Sequence, residues 1–271
     1  MTQYIDRKNI APLRFADQDI PLDFYAEIKK GNVPGHEIVH KFGRNPDVDT
    51  ATDPEDIWNT GGLATWAIAE FVCTVVSGSA GDDGNPIGDG ALTLMIEGVD
   101  GTFAAVSEEL TLEGAGTATT TQKFMRINRA YVTSVGTYHG SNLGVLTGQL
   151  DGNDYFTIAI GAGQTEKAIY TVPAGKQAHL LSILVLVAVG ANKTANVAMF
   201  QYQNADDVSD PFGGGKRLVW QATEIQNQVI LHPTSGIGPF PAKTDLWFQA
   251  TEVGADDTSV DVDFELLLVD A

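Results

Sequence analysis

Residues 177–188 run for twelve positions without a formal charge, and His179-Leu180-Leu181-Ser182-Ile183-Leu184-Val185-Leu186-Val187 within them is almost wholly aliphatic. A membrane helix needs about 20 apolar residues, so the run is too short to be one. Its Leu, Val and Ile, bracketed by turn residues, predict a strand buried on both faces. Just upstream, Ile169-Tyr170-Thr171-Val172 leads into Pro173-Ala174-Gly175-Lys176. Pro173 fixes one φ and Gly175 tolerates a positive one, which predicts a hairpin turn. Gly190-Ala191-Asn192-Lys193 then separates the run from a second strand over 196–202. A chain organised around this stretch has a β-sandwich sheet at its centre. The stretch carries no chemistry of its own.

The remainder divides by composition. From residue 63 onward Thr, Val, Ala and Gly alternate in short runs, predicting strands over 64–76, 91–97, 104–112, 124–135, 144–150 and 155–160. Further strands are expected over 167–172, 177–189, 196–203, 217–222, 228–231, 245–251 and 258–269. The closing strand alternates Val260, Val262, Phe264 and Leu266 inward with Asp261, Asp263 and Glu265 outward. Gly- and Asp-rich loops join the first set, the spacing of an all-β sandwich or jelly roll. Residues 129–150 faintly echo 182–203; two related sandwiches would produce that, and so would the general monotony of β sequences.

Residues 1–62 differ. Pro12, Pro21, Pro34, Pro46 and Pro54 interrupt any regular element, and the apolar residues between them are not periodic. Two short helices fit: one over 22–30, and one after Asp53 as N-cap with Pro54 at the first helical position, ending near Trp58. The segment reads as an extended arm lying on another surface. Its candidate interface residues are Phe15, Phe24, Tyr25, His36, Phe42, Arg44 and Trp58. The expected organisation is therefore an arm (1–62), a first β-sandwich (63–160) and a second, jelly-roll-like sandwich (161–271).

Sixteen basic against thirty-five acidic side chains give a net charge of −19, which argues against binding nucleic acid or an anionic membrane by charge. Cys73, the single cysteine, is expected to be a small buried apolar residue and permits no intrachain bridge. The first eight residues hold no hydrophobic signal core. A chain of 271 residues can bury enough surface to fold without metal or disulfides.

His36-Glu37-Ile38-Val39-His40 spells the H-E-x-x-H of zinc metalloproteases. That chemistry needs both histidines on one helical face and a third ligand. Pro46 occupies the third-ligand position of the longer pattern, and Pro34-Gly35 and Gly43 leave room for only a short helix. The zinc reading is disfavoured. Asp82, Asp83 and Asp89 offer hard oxygens to calcium but lack EF-hand spacing, so a solvated turn is preferred. Asp206-Asp207 and Asp256-Asp257 are similar loop pairs. No nucleophile elbow, phosphate loop or dinucleotide fingerprint is present. Catalytic and cofactor-binding residues are expected to be none. Of Tyr138, Trp220, Trp247 and Phe248, which could offer a sugar platform, most are expected in the core.

Several passages together resemble a family of virion structural proteins of tailed bacteriophages. They are Gly31-Asn32-Val33-Pro34-Gly35-His36, Lys41-Phe42-Gly43-Arg44-Asn45, Asp47-Val48-Asp49 and Asp53-Pro54-Glu55-Asp56-Ile57-Trp58. Later come Ala168 through Lys176, Lys243-Thr244-Asp245-Leu246 and Phe264 through Asp270. The resemblance implies a non-enzymatic virion component made in the host cytoplasm, without cofactor. The resemblance leaves the station in the particle open; taken with the aromatic arm, the β-sandwiches and the lack of a catalytic set, the expected role is a decoration, cement or vertex protein that contacts its own kind, by analogy as a trimer, and the major capsid protein. A double jelly-roll shell protein and a receptor- or glycan-binding fibre module remain alternatives.

Overall fold

The computed structural model describes residues 23–52, 54–137, 140–188, 190–208, 215–233 and 236–271. Phe15, Asp53 and Tyr138 lie outside these. Among the described residues the chain is all-β apart from one short helix, α1 (Phe24–Lys29). The strands are β1 (His36–Val48), β2 (Glu55–Asp56), β3 (Phe71–Ser77), β4 (Ala91–Val99), β5 (Ala105–Thr111), β6 (Thr117–Phe124), β7 (Arg126–Val135), β8 (Leu146–Leu150) and β9 (Asn153–Ile158). They continue as β10 (Ile169–Thr171), β11 (Lys176–Val187), β12 (Ala195–Tyr202), β13 (Arg217–Ile225), β14 (Gln228–Leu231), β15 (Ile237–Phe240), β16 (Asp245–Val253) and β17 (Thr258–Asp270).

Two sheets face each other across one core. One is ordered β1-β17-β11-β14, with β15 also on β11; the other is β10-β16-β12-β13, with β2 on β16. From the first sheet Ile183, Val185, Val262, Phe264 and Leu266 point inward, and Val197, Met199, Leu246, Phe248 and Ala250 meet them from the second. The Phe248 and Phe264 rings, 5.0 Å apart, bridge the layers. Setting aside the short β2 and β15, the other eight strands taken in chain order run 1-8-3-6 in one sheet and 2-7-4-5 in the other.

β17 alternates as its sequence demands, with Val260, Val262, Phe264, Leu266 and Leu268 buried. β11 is buried on one face only. A bulge between Leu180 and Ser182 resets its phase, so that Leu180 and Ile183 both point inward while Leu184 and Leu186 point outward. The Pro173–Lys176 turn forms, with Gly175 at φ +76° and the Lys176 N–H donating to the Pro173 carbonyl at 3.2 Å. It is not a hairpin. β10 and β11 belong to opposite sheets, and the turn is the corner between them.

β3 to β9 form a second sandwich, ordered β6-β3-β8-β9 against β5-β4-β7. Its core holds Cys73, Leu94, Ile96, Phe103, Phe124, Leu146 and Phe156. This module is inserted between β2 and β10 of the other sandwich. Its strand order differs from that of its host, so the faint sequence echo marks only a shared step: β7 to β8 and β11 to β12 each cross from one sheet to its opposite.

The N-terminal third departs most from expectation. Residues 36–48 are an integral strand, not an arm: β1 pairs antiparallel with β17 from His36↔Val269 to Val48↔Thr258, with a bulge that accommodates Pro46. Gly43 is required there, because a Cβ would lie 2.1 Å from the Ala168 nitrogen and 2.5 Å from the Ile57 carbonyl oxygen. The first helix forms, with Asp23 capping the Tyr25 and Ala26 N–H groups. The second, expected over 53–58, does not. Glu55 and Asp56 instead pair with β16 as β2, and Asp56 accepts from the Ala64 N–H at 2.7 Å. Their carboxylates organise the following loop and do not cap a helix.

Candidate functional site

In β1 the H-E-x-x-H motif is extended, which separates His36 from His40 by about 13 Å along the strand and puts Glu37 on the opposite side. His36 Nδ1 contacts the Pro34 carbonyl at 2.9 Å, and His40 Nε2 pairs with Asp263 at 2.8 Å. The pattern cannot close on a metal. Asp82 is likewise spoken for. It is fully buried, with Oδ1 accepting from Ala91 and Leu143 N–H groups and Oδ2 from Ser77 Oγ and the Gly144 N–H. Asp83 closes an Asx turn on the Asn85 N–H, and Asp89 accepts from Thr137 Oγ1. The loop is pinned by its own carboxylates. Cys73 is buried in β3, and desolvation pushes its thiol up to about 12, leaving it unreactive.

Sequence reasoning missed the acidic trio Asp47, Asp49 and Asp257, whose carboxylate oxygens lie within 4.8 Å of one another. A hydrogen bond with Asp257 and the Asp49 charge raise the Asp47 carboxyl. It also missed the junction between the modules, where β7 presents consecutive groups to the host sandwich. Arg126 pairs with buried Asp245 at 3.1 Å and donates to the Ala67 carbonyl. Lys167 donates to the Ile127 and Tyr155 carbonyls, and Lys41 donates to the Asn128 carbonyl. Asn128 and Thr171 exchange side-chain-to-backbone bonds at 2.8 and 3.1 Å. Burial depresses both Lys41 and Lys167 to about 7, and for Lys41 the neighbouring Lys167 and Arg129 add to that. No sequence signal separates these lysines from surface ones. Only the packing of the inserted module does.

At the junction's rim, Trp66, Ile68, Tyr202, Val208, Lys216 and Trp247 line a hollow of about 360 Å³. Trp66 meets Trp247 edge-on at 5.4 Å. Lys216 Nζ sits 3.8 Å from the centre of the Phe200 ring.

The expected interface residues divide. Phe24 and Tyr25 are about half exposed on α1; Phe24 packs edge-on against His36 at 5.9 Å. Phe42 lies beside His40, and exposed Arg44 pairs with Asp261 at 3.4 Å. These line one outward surface. Trp58 is a correction: it is buried with Ile169 and Trp247, its indole N–H donates to the Gly62 carbonyl, and it offers nothing to a partner. That outward surface, formed by β1, β17 and β11, includes a depression of about 280 Å³ lined by Phe42, Arg44, Glu166, Leu184, Leu186, Asp261 and Asp263.

No protein-family model and no curated protein matches the chain. Among solved structures, the crystal structure of the infectious bursal disease virus VP2 subviral particle aligns over 86% of this chain and 72% of that one, at 11% identity and a TM-score of 0.22. The structure of the infectious bursal disease virus Gx strain aligns over 86% and 70%, at 13% identity and a TM-score of 0.20. At these scores neither alignment establishes a common fold.

Proposed function

We propose that the chain is a virion structural protein that acts without catalysis: a capsid-associated decoration, cement or vertex component of a tailed bacteriophage, assembling with its own copies as a trimer and with the shell protein. The observation that carries this reading is the strand order 1-8-3-6 against 2-7-4-5. We read it as a jelly roll, an eight-stranded arrangement of two Greek keys used by viral capsid and lectin domains and by cupins. The cupin alternative would place histidines inside the barrel, whereas the core between these two sheets is apolar. The H-E-x-x-H and acidic-loop geometries supply no reaction centre. The passages resembling phage virion proteins fall in and beside β1 and β2, at the β10–β11 corner, at the start of β16 and in β17, elements that build this sandwich. The inserted module differs in strand order from its host, which favours a single jelly roll with an insertion over a double jelly-roll shell protein.

Self-association is the test. Mass photometry of the full chain over a concentration series is expected to reveal a discrete oligomer; a monomer throughout would count against the reading. The hollow lined by Trp66, Tyr202 and Trp247 favours a second reading, a glycan-binding module, because aromatic faces stack on sugars. Tryptophan fluorescence titrated with a panel of oligosaccharides would reveal it; a flat response removes it.

A further inference from the structure

We propose that the hollow lined by Trp66, Tyr202 and Trp247 takes an acidic sugar. Its ring lays an apolar face on the aromatic side chains, its carboxylate meets Lys216, and a hydroxyl or ring oxygen accepts from Arg126. This rests on the glycan-binding reading and names the class of glycan.

The walls are aromatic and the polar groups few. Trp66 and Tyr202 are only half-buried, so part of each ring stays open, and exposed Ile68 and Val208 extend the apolar rim. At about 360 Å³ the hollow falls within the range of small-molecule pockets.

Two cations border this aromatic cluster, and neither has its capacity filled. Arg126 is 5% exposed and carries five N–H groups. Nε donates to both Asp245 oxygens at 3.3 Å. Nη1 donates to the Met125 carbonyl at 3.0 Å and the Ala67 carbonyl at 2.7 Å, and Nη2 to Asp245 at 3.1 Å. One Nη2 N–H is left over among the described residues, on a buried guanidinium that lines the hollow 5.2 Å from the Trp66 ring centre. Lys216 stands at the rim, 3.8 Å from the Phe200 ring centre and 5.7 Å from that of Trp247. Its ammonium donates to Gln249 Oε1 at 2.9 Å and forms no ion pair with a carboxylate among the described residues. Partial burial lowers it, against the more distant pull of Asp56.

The acids in the lining are already engaged. Asp245 holds Arg126 and accepts from Thr171 Oγ1, and Asp207 has a partner of its own. Lys216 therefore lacks an anion, and Arg126 lacks one oxygen acceptor. An aromatic acid offers only a carboxylate. A pyranose that bears a carboxylate offers the anion, further oxygens and a C–H face for the rings.

The test titrates the full chain with methyl glucuronide, methyl glucoside and phenylacetate, followed by tryptophan fluorescence and calorimetry. Methyl glucuronide is expected to bind, and methyl glucoside about tenfold more weakly for want of one charge-assisted contact. Phenylacetate should bind no better than the glucoside. Lys216→Met should bring the glucuronide down to the level of the glucoside and leave the glucoside unchanged, whereas Lys216→Arg should keep the preference. Lys216 is exposed, and circular dichroism checks that both variants fold. Equal binding of the two sugars, or a preference that survives Lys216→Met, overturns the proposal and leaves the glycan-binding reading standing. Binding of phenylacetate in preference to both sugars overturns the proposal. A flat response to all three also overturns it, and the glycan-binding reading falls with it if the oligosaccharide panel is silent too.

Discussion

Replacing Lys41 by Met should stabilise the protein at neutral pH and destabilise it at pH 10. Lys41 is buried, its ammonium donates to the Asn128 carbonyl, and no carboxylate forms an ion pair with it among the described residues. Burial holds it at about 7, against an ordinary 10.5. Between those values the unfolded chain keeps a proton that the folded one has released, so the wild type gains stability as pH rises through the window. At 1.36 kcal/mol per pH unit the penalty for burying this lysine at pH 7 is of order 4 kcal/mol. Methionine removes it but strands the Asn128 carbonyl, at about 1–2 kcal/mol. The net expectation at pH 7 is a gain of about 2 kcal/mol, in line with apolar replacement of other buried charges. At pH 10 wild-type Lys41 is a neutral amine still donating its hydrogen bond, and only about 0.8 kcal/mol of the burial penalty remains, so the variant should be weaker by up to about 1 kcal/mol. Urea denaturation of both proteins at the two pH values, followed by tryptophan fluorescence, measures the difference directly. Equal destabilisation at both would refute the view that Lys41 is buried at an energetic cost.

Four further outcomes are expected. Gly43→Ala should cost about 3 kcal/mol or prevent folding, because its Cβ meets the backbone of Ala168 and Ile57; soluble yield and urea midpoint report it. Asp82→Asn should destabilise the inserted module by about 2–3 kcal/mol, and adding calcium should not shift the wild-type Tm, since the carboxylate is already saturated by hydrogen bonds. The chain should purify without stoichiometric zinc, and Glu37→Gln should leave metal content and stability unchanged by elemental analysis and melting. Joining Asn59 to Glu166 through a short Gly/Ser linker, with Lys41→Met, Lys167→Met and Asp245→Asn to neutralise the exposed junction, should leave a folded sandwich by circular dichroism. The Asn59 N–H already donates to the Glu166 carbonyl at 3.2 Å, so the ends meet.

The sequence was legible where burial follows a simple period. β17 is read correctly because every inward residue meets the apolar core. β1 escaped notice for the opposite reason. Its inward side offers Lys41, Gly43 and Asn45, which serve the inserted module and the close passage of Ala168 in place of an aliphatic core. A strand with polar inward positions, interrupted by Pro46, carries no period-two signal. β6, Thr117–Phe124, was missed because its inward positions are Ala118, Thr120 and Phe124, a pattern too polar to stand out. Residues 64–70 were read as the start of a strand, but they wrap the junction, where Trp66 meets Trp247 and the Ala67 carbonyl takes a bond from Arg126. Leu246, Trp247 and Phe248 are all buried because β16 is covered on both faces, by the sandwich core and by the Trp58 cluster. Insertion of one module inside another is a long-range fact, and local patterning does not encode it. The outward Phe24, Tyr25, Phe42 and Arg44 were identified as interface candidates from their position before the sheet, though the strand that displays two of them was not.

The decisive measurement is quantitative mass spectrometry of virus particles purified from infections in which this chain is expressed. The account predicts that it is present in a fixed ratio to the main shell protein, as a companion at or below that protein's copy number. Absence from the particles, or recovery only in the soluble fraction of infected cells, would contradict it.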